Sequence, residues 1–353
     1  MRIRTHDSAP GVSRRQFLGR AASAPAAAAL WPGQLPGGER MPPRNRRVAP
    51  TKERLLACLG GAWPDYGALQ PKVESTTQKD GYRLERVTYL VEPDERIAAY
   101  LLVPDSAAAG RRPGICVWHQ HNGAYPIGKA EPAGLEGAAM HHTGVALARA
   151  GYVVLCPDAA GFGERNKRGG LNGRNLEHYL FAMQVVEGRS LAWKNIADMR
   201  RAVDYLASRP EVDATRLGCY GHSMGSTHTW LVGPWEPRLK ALVANCCLPS
   251  YAAMERTDLI HCFPNYVPGW RAIGDTPDIA ALIAPRALHL NFGETDSGSP
   301  IDEVRKAVAT IGRAYESRGA SRQFSHYIEP GAGHVLSEEM SRRMMAHFAK
   351  HLA

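Results

Sequence analysis

Three residues, far apart in the chain, have the types and settings that acyl-transfer chemistry needs. Ser223 lies in "CYGHSMGST" (219–227), flanked at a distance of two by Gly221 and Gly225. A serine hydroxyl is a weak nucleophile, so it needs a base to take its proton and an acid to orient that base. Asp296 follows the apolar run in "LHLNFGETDSGSP", and His334 closes the Gly-rich stretch of "YIEPGAGH". Each follows a short apolar run that reads as a strand, and the order Ser, Asp, His suits a serine on a strand-to-helix corner. Alone, a G-x-S-x-G pentapeptide is equally a tight turn with an N-capping serine. The strand before it, the helix after it and the two partners downstream favour the catalytic reading. Glu294 is the fallback acid, and His326 is a weaker base because it falls inside a strand rather than after one.

The elements that must position these residues are legible as a rhythm. "YRLERVTYLV" and "RIAAYLLVP" alternate and form a hairpin-like pair. Apolar runs at 114–119, 152–158, 216–222, 240–247, 286–292 and 323–329 follow, separated by helical patterns such as "IADMRRAVDYLASR". Short apolar strands alternating with helices imply a mostly parallel sheet covered on both faces. The expectation is an α/β fold of about eight strands in one domain over residues 56–353. Two segments break the rhythm, 161–190 and 248–280, and long connections of this kind often wall a binding pocket.

"RPEVDATRLGCYGHSMG", "APRALHLNFGETD" and "EPGAGH" resemble the α/β-hydrolase superfamily, in its dienelactone hydrolase and acetyl xylan esterase-like branch, over about residues 80–353. The resemblance implies a Ser223–Asp296–His334 hydrolase of carboxylic esters, sugar esters among them, that works without a cofactor. Ser226 departs from the glycine that many relatives carry there. An oxyanion hole needs two backbone N–H groups. Met224, directly after the nucleophile, supplies the first, and the loop "HQHNG" supplies the second, from His121 ahead of Gln120. Tyr125, Trp193, Phe263, Tyr266 and Trp270 are either pocket walls or core aromatics.

Charge narrows the partners. Residues 1–54 hold eleven Lys/Arg against three Asp/Glu, whereas the remainder holds 32 against 31. The basic excess is a tail, so the folded part lacks a nucleic-acid footprint. "SRRQFLGRAASAPAAAAL", with Arg14–Arg15, reads as a twin-arginine export signal within residues 1–30, handled by the export machinery and giving a periplasmic or secreted protein. A basic tail, or a start at Met41, is the competing account. The alanine-rich stretch is too short and too polar to insert stably in a membrane. Residues 31–55 read as a flexible linker. The seven cysteines show no CxxC spacing, and neither a disulfide framework nor a zinc site is expected.

Other chemistries fit less well. A peptidase or amidase on the same triad is the nearest rival. "GAYPIGK" (123–129) nearly matches a phosphate-binding loop, but Ala130 stands where a hydroxyl should hold magnesium. His119, His121, His141 and His142 suggest a metal cluster without a supporting carboxylate spacing.

Overall fold

The computed structural model describes residues 49–353. The expected signal and most of the expected linker lie outside the described residues. The sheet contains β1 (Lys72–Lys79), β2 (Tyr82–Glu92), β3 (Glu95–Pro104), β4 (Arg112–Trp118), β5 (Val153–Pro157), β6 (Val212–His222), β7 (Leu239–Asn245), β8 (Ala287–Gly293) and β9 (Phe324–Glu329). Their spatial order is β1-β2-β3-β5-β4-β6-β7-β8-β9. β1, β2 and β3 are antiparallel to their neighbours, and β4 to β9 run parallel.

The helices are α1 (Lys52–Leu59), α2 (Thr143–Arg149), α3 (Gly173–Val186), α4 (Leu191–Ser208), α5 (Met224–Val232), α6 (Tyr251–Thr257), α7 (Thr276–Ala281), α8 (Ile301–Glu316) and α9 (Glu338–His351). They cover both faces, as the continuous apolar runs require. Successive strand side chains point to opposite sides. Cys116 and Trp118 of β4, Leu155 of β5 and Cys219 of β6 join the larger core, with Trp193 and Ile196 of α4 and Trp230 of α5. Ile115, Val117, Val154, Cys156 and Tyr220 join the other, with Leu147 of α2 and Met340, Met344 and Phe348 of α9.

Two differences from expectation have physical causes. The sheet has nine strands rather than eight, because β1 ("KVESTTQK") is exposed at every position and carries no buried face to betray it. The domain also takes in residues assigned to the linker. Thr51 caps α1, and Leu55 and Leu59 are fully buried in the larger core. The Leu59 carbonyl accepts from Ser190 Oγ (3.0 Å), and Trp193 Nε1–H donates to the Gly61 carbonyl (3.0 Å), so this entry segment is bolted to α4.

From β4 the chain crosses first to β5 on one side and later to β6 on the other. Open parallel sheets bind ligands at the carboxyl ends of their strands, where the winding direction switches. The loops after β4 and β6 open at that switch.

Candidate active site

Ser223 sits between the end of β6 and the start of α5 with φ 57° and ψ −119°, a left-handed conformation that a non-glycine residue rarely adopts. Its N–H donates to the Asn245 carbonyl at the end of β7 (2.9 Å), which ties the corner to the neighbouring strand. Both flanking glycines are sterically required. A Cβ on Gly221 would lie 2.0 Å from the Gly225 carbonyl oxygen, and one on Gly225 would lie 2.1 Å from the Trp118 oxygen. The helix thus starts hard against β4. Ser226 fits because its hydroxyl donates to the Cys247 carbonyl (2.7 Å).

His334 and Asp296 meet across the loops after β9 and β8. Asp296 Oδ2 accepts from His334 Nδ1–H at 2.7 Å, and Oδ1 accepts from the Gly298 N–H at 2.8 Å. Asp296 is 4% exposed. With the proton on Nδ1, Nε2 carries the lone pair that a general base needs. The two loops are laced together: Thr295 N–H donates to the Ala332 carbonyl (2.8 Å) and Glu294 N–H to the Glu329 carbonyl (3.0 Å). Glu294 itself accepts from the Gly331 N–H (3.1 Å) and does not reach His334. His326 is exposed on the half-buried β9, against Phe324.

His222 links the corner to this pair. Its ring centroid is 4.9 Å from that of His334 and 4.5 Å from that of His141. Asn245 Nδ2 donates to His222 Nδ1 (2.7 Å) and to the Val335 carbonyl (3.2 Å), so one amide clamps the serine corner and the His334 loop. Burial pushes the imidazoles of His119, His141, His222 and His261 toward the neutral form. Reading from the sequence missed His222, Asn245 and His261. Only the adjacency of His222 to the serine hinted at any of them.

Ser223 opens into a cavity of about 540 Å³, a size suited to a small organic ligand. His121 lines it beside the serine. Met224 is the first residue of α5, where an N–H has no partner within the helix. Among the described residues, neither Met224 N–H nor His121 N–H donates to a backbone carbonyl. Both irregular segments contribute walls: Arg174, Glu177 and Phe181 from α3, and Ile260 to Phe263 with Tyr266 from the stretch after α6. Of the aromatics singled out, Tyr125, Phe263 and Tyr266 line the cavity. Trp193 and Trp270 belong to the core.

The competing chemistries lose their residues to structural duties. Lys129 of the near phosphate loop is buried, with Nζ 2.6 Å from Asp158 Oδ2 and 2.8 Å from Glu164 Oε1. His119 Nε2 accepts from the Ala159 N–H (3.1 Å), His121 pairs with Glu177 and His142 Nε2 meets the Glu136 carbonyl (3.0 Å), so these rings face separate partners. All seven cysteines are free, and no described helix is long and apolar enough to cross a membrane.

A family model described as the dienelactone hydrolase family matches residues 97–261. YtaP of Bacillus subtilis (strain 168), named as a hydrolase by inference, is 27% identical over 292 residues, covering 81% of this chain and 93% of its own length. A glucuronoyl esterase from Solibacter usitatus superposes with a TM-score of 0.63 at 17% identity, covering 85% of this chain and 92% of its own. Acetyl xylan esterase 1 from Thermoanaerobacterium sp. JW/SL YS485 gives 0.59 at 16% identity, covering 87% and 100%. A mostly parallel sheet of this order, a serine on the strained corner after β6 and a matching family model over its centre make this chain similar to the dienelactone hydrolase family, on the α/β fold that it shares with those esterase structures.

Proposed function

We propose that the protein is a serine esterase that cleaves carboxylic esters through an acyl-enzyme. The observation that carries this is the strained Ser223 corner at the mouth of the cavity, with His334, oriented by the buried Asp296, packed against the neighbouring His222 at 4.9 Å between ring centroids. Ser223 Oγ attacks the ester carbonyl as His334 Nε2 accepts its proton. Asp296 fixes the ring and stabilises the imidazolium. The N–H groups of Met224 and His121 receive the oxyanion. The tetrahedral intermediate then expels the alcohol, which takes the proton from His334. Water repeats both steps on the acyl-enzyme and releases the acid.

The names of the similar structures favour carbohydrate esters as substrates, and the cavity is large enough for a short acyl group and one sugar ring. Ser223→Ala should abolish turnover of p-nitrophenyl acetate and labelling by a fluorophosphonate while leaving the melting transition in place. Full activity in that variant would refute the mechanism. Export through the twin-arginine route is part of the proposal, supported by Arg14–Arg15 alone. It is tested by sequencing the N-terminus of protein recovered outside the cytoplasm.

A further inference from the structure

We infer that Glu177 is a positioning residue that acts through His121 to hold the second oxyanion donor in place, an inference that rests on the esterase reading above. Glu177 lies 56 residues from His121, on α3, and is 2% exposed. Carboxylates are almost never buried so deeply without a cation. Among the described residues, no lysine or arginine pairs with it. Its Oε2 instead accepts two hydrogen bonds from the loop after β4, from His121 Nε2–H (2.9 Å) and from the Tyr125 hydroxyl (2.8 Å). Its Oε1 is buried without a protein partner. This placement is costly for stability alone, and an apolar residue in the first turns of α3 would avoid the cost.

What Glu177 holds is a strained turn. Asn122 has φ 45° and Gly123 φ 65°, two successive left-handed residues. The Gly123 N–H donates back to His121 Nδ1 (3.0 Å). That bond makes Nδ1 the acceptor, so the neutral ring carries its proton on Nε2 and donates it to Glu177. The ring is further boxed by Tyr125 and Phe162, with centroids at 4.9 and 5.0 Å. The chain of contacts runs from a rigid helix through a carboxylate and an imidazole to the backbone of the turn. The His121 N–H is part of that turn. Displacing a catalytic donor by about 1 Å can cost about 100-fold in rate.

The test uses Glu177→Leu, Glu177→Gln, His121→Ala and the double variant His121→Ala/Glu177→Leu. His121→Ala keeps the backbone N–H and removes only the latch. The ring lies in a loop and is 19% exposed, so its removal provides a variant expected to fold even if Glu177→Leu does not. Three readouts apply: kcat and KM on p-nitrophenyl acetate, inhibition by a boronic acid that forms a tetrahedral adduct on Ser223, and hydrogen exchange of the amides of residues 119–125. Positioning predicts that Glu177→Leu and His121→Ala each lower kcat by about 10- to 100-fold with KM within 3-fold. Boronate affinity should fall in parallel, loop exchange should speed up, and the double variant should be no worse than either single one. Glu177→Gln, whose carbonyl can still accept both bonds, should recover most of the loss. The inference is overturned by unchanged loop exchange, by additive losses, or by a change confined to KM. Loop exchange reads the latch whether or not the protein cleaves esters, so failure of the esterase reading would show separately, as activity surviving Ser223→Ala.

Discussion

Replacing Asp296 with asparagine keeps size and shape but removes an acceptor, and the geometry shows why no rotation of the amide can compensate. Both carboxylate oxygens are in use, Oδ2 by His334 Nδ1–H at 2.7 Å and Oδ1 by the Gly298 N–H at 2.8 Å. An asparagine that turns its oxygen to His334 points its NH₂ at the Gly298 N–H, donor against donor. One that satisfies Gly298 presents NH₂ to Nδ1, forces the proton onto Nε2 and disarms the base. The first arrangement leaves a buried donor unpaired at about 1–3 kcal/mol. The second is the wrong tautomer, for which loss in a triad of this type is about 10⁴-fold in kcat, or about 5.5 kcal/mol at 1.36 kcal/mol per decade. The assay is steady-state hydrolysis of p-nitrophenyl acetate between pH 6 and 9, with Glu294→Gln in parallel. Asp296→Asn should fall by three to four decades with KM little changed, and Glu294→Gln should stay within about 3-fold. Asp296→Asn activity above one tenth of the starting enzyme, or a collapse in Glu294→Gln, would refute the assignment of the acid.

Gly225→Ala should cost about 1–3 kcal/mol by urea denaturation and at least tenfold in kcat, because its Cβ would meet the Trp118 carbonyl at 2.1 Å and push the start of α5 off β4. An unchanged urea midpoint would contradict that packing. Burial holds His228 at about 3, His289 at about 4 and His347 at about 3 in the folded chain, below the 6.5 of the free side chain. The unfolded state therefore takes up protons first on acidification, so their stabilisation is complete above pH 6.5 and falls away below it. Between pH 7 and 5.5 each of these rings should remove about 1 kcal/mol, and His347→Gln should take away one ring's share of the total slope. A urea midpoint independent of pH over this range would refute it.

The sequence carried the fold wherever burial left a two-residue or helical period. The parallel strands β4 to β8 were visible because their apolar runs are largely buried, and the half-buried β9 was visible from its aromatic and apolar positions. β1 was invisible for the opposite reason: it is polar throughout and is held by β2 rather than by a core. The proposed trio could be picked out because each member follows a strand, and the sheet alone determines where strands end. The supporting residues were not. Asn245 and Glu177 matter through hydrogen bonds to residues tens of positions away, and no spacing rule connects a helix at 177 with a turn at 121. The aromatics split for a similar reason. Phe263 and Tyr266 sit on a connection facing the cleft, whereas Trp193 sits on the buried face of α4.

The row of imidazoles His141, His222 and His334 has an electrical consequence. Asn245 donates to His222 Nδ1, and that ring is 3% exposed, so burial strongly favours its neutral form. In the proposed mechanism His334 becomes an imidazolium during acyl transfer, and the neutral ring packed 4.9 Å away adds no repelling cation. Positive charge therefore comes and goes at a single ring, and the acidic limb of the rate profile should follow one proton rather than a cooperative cluster.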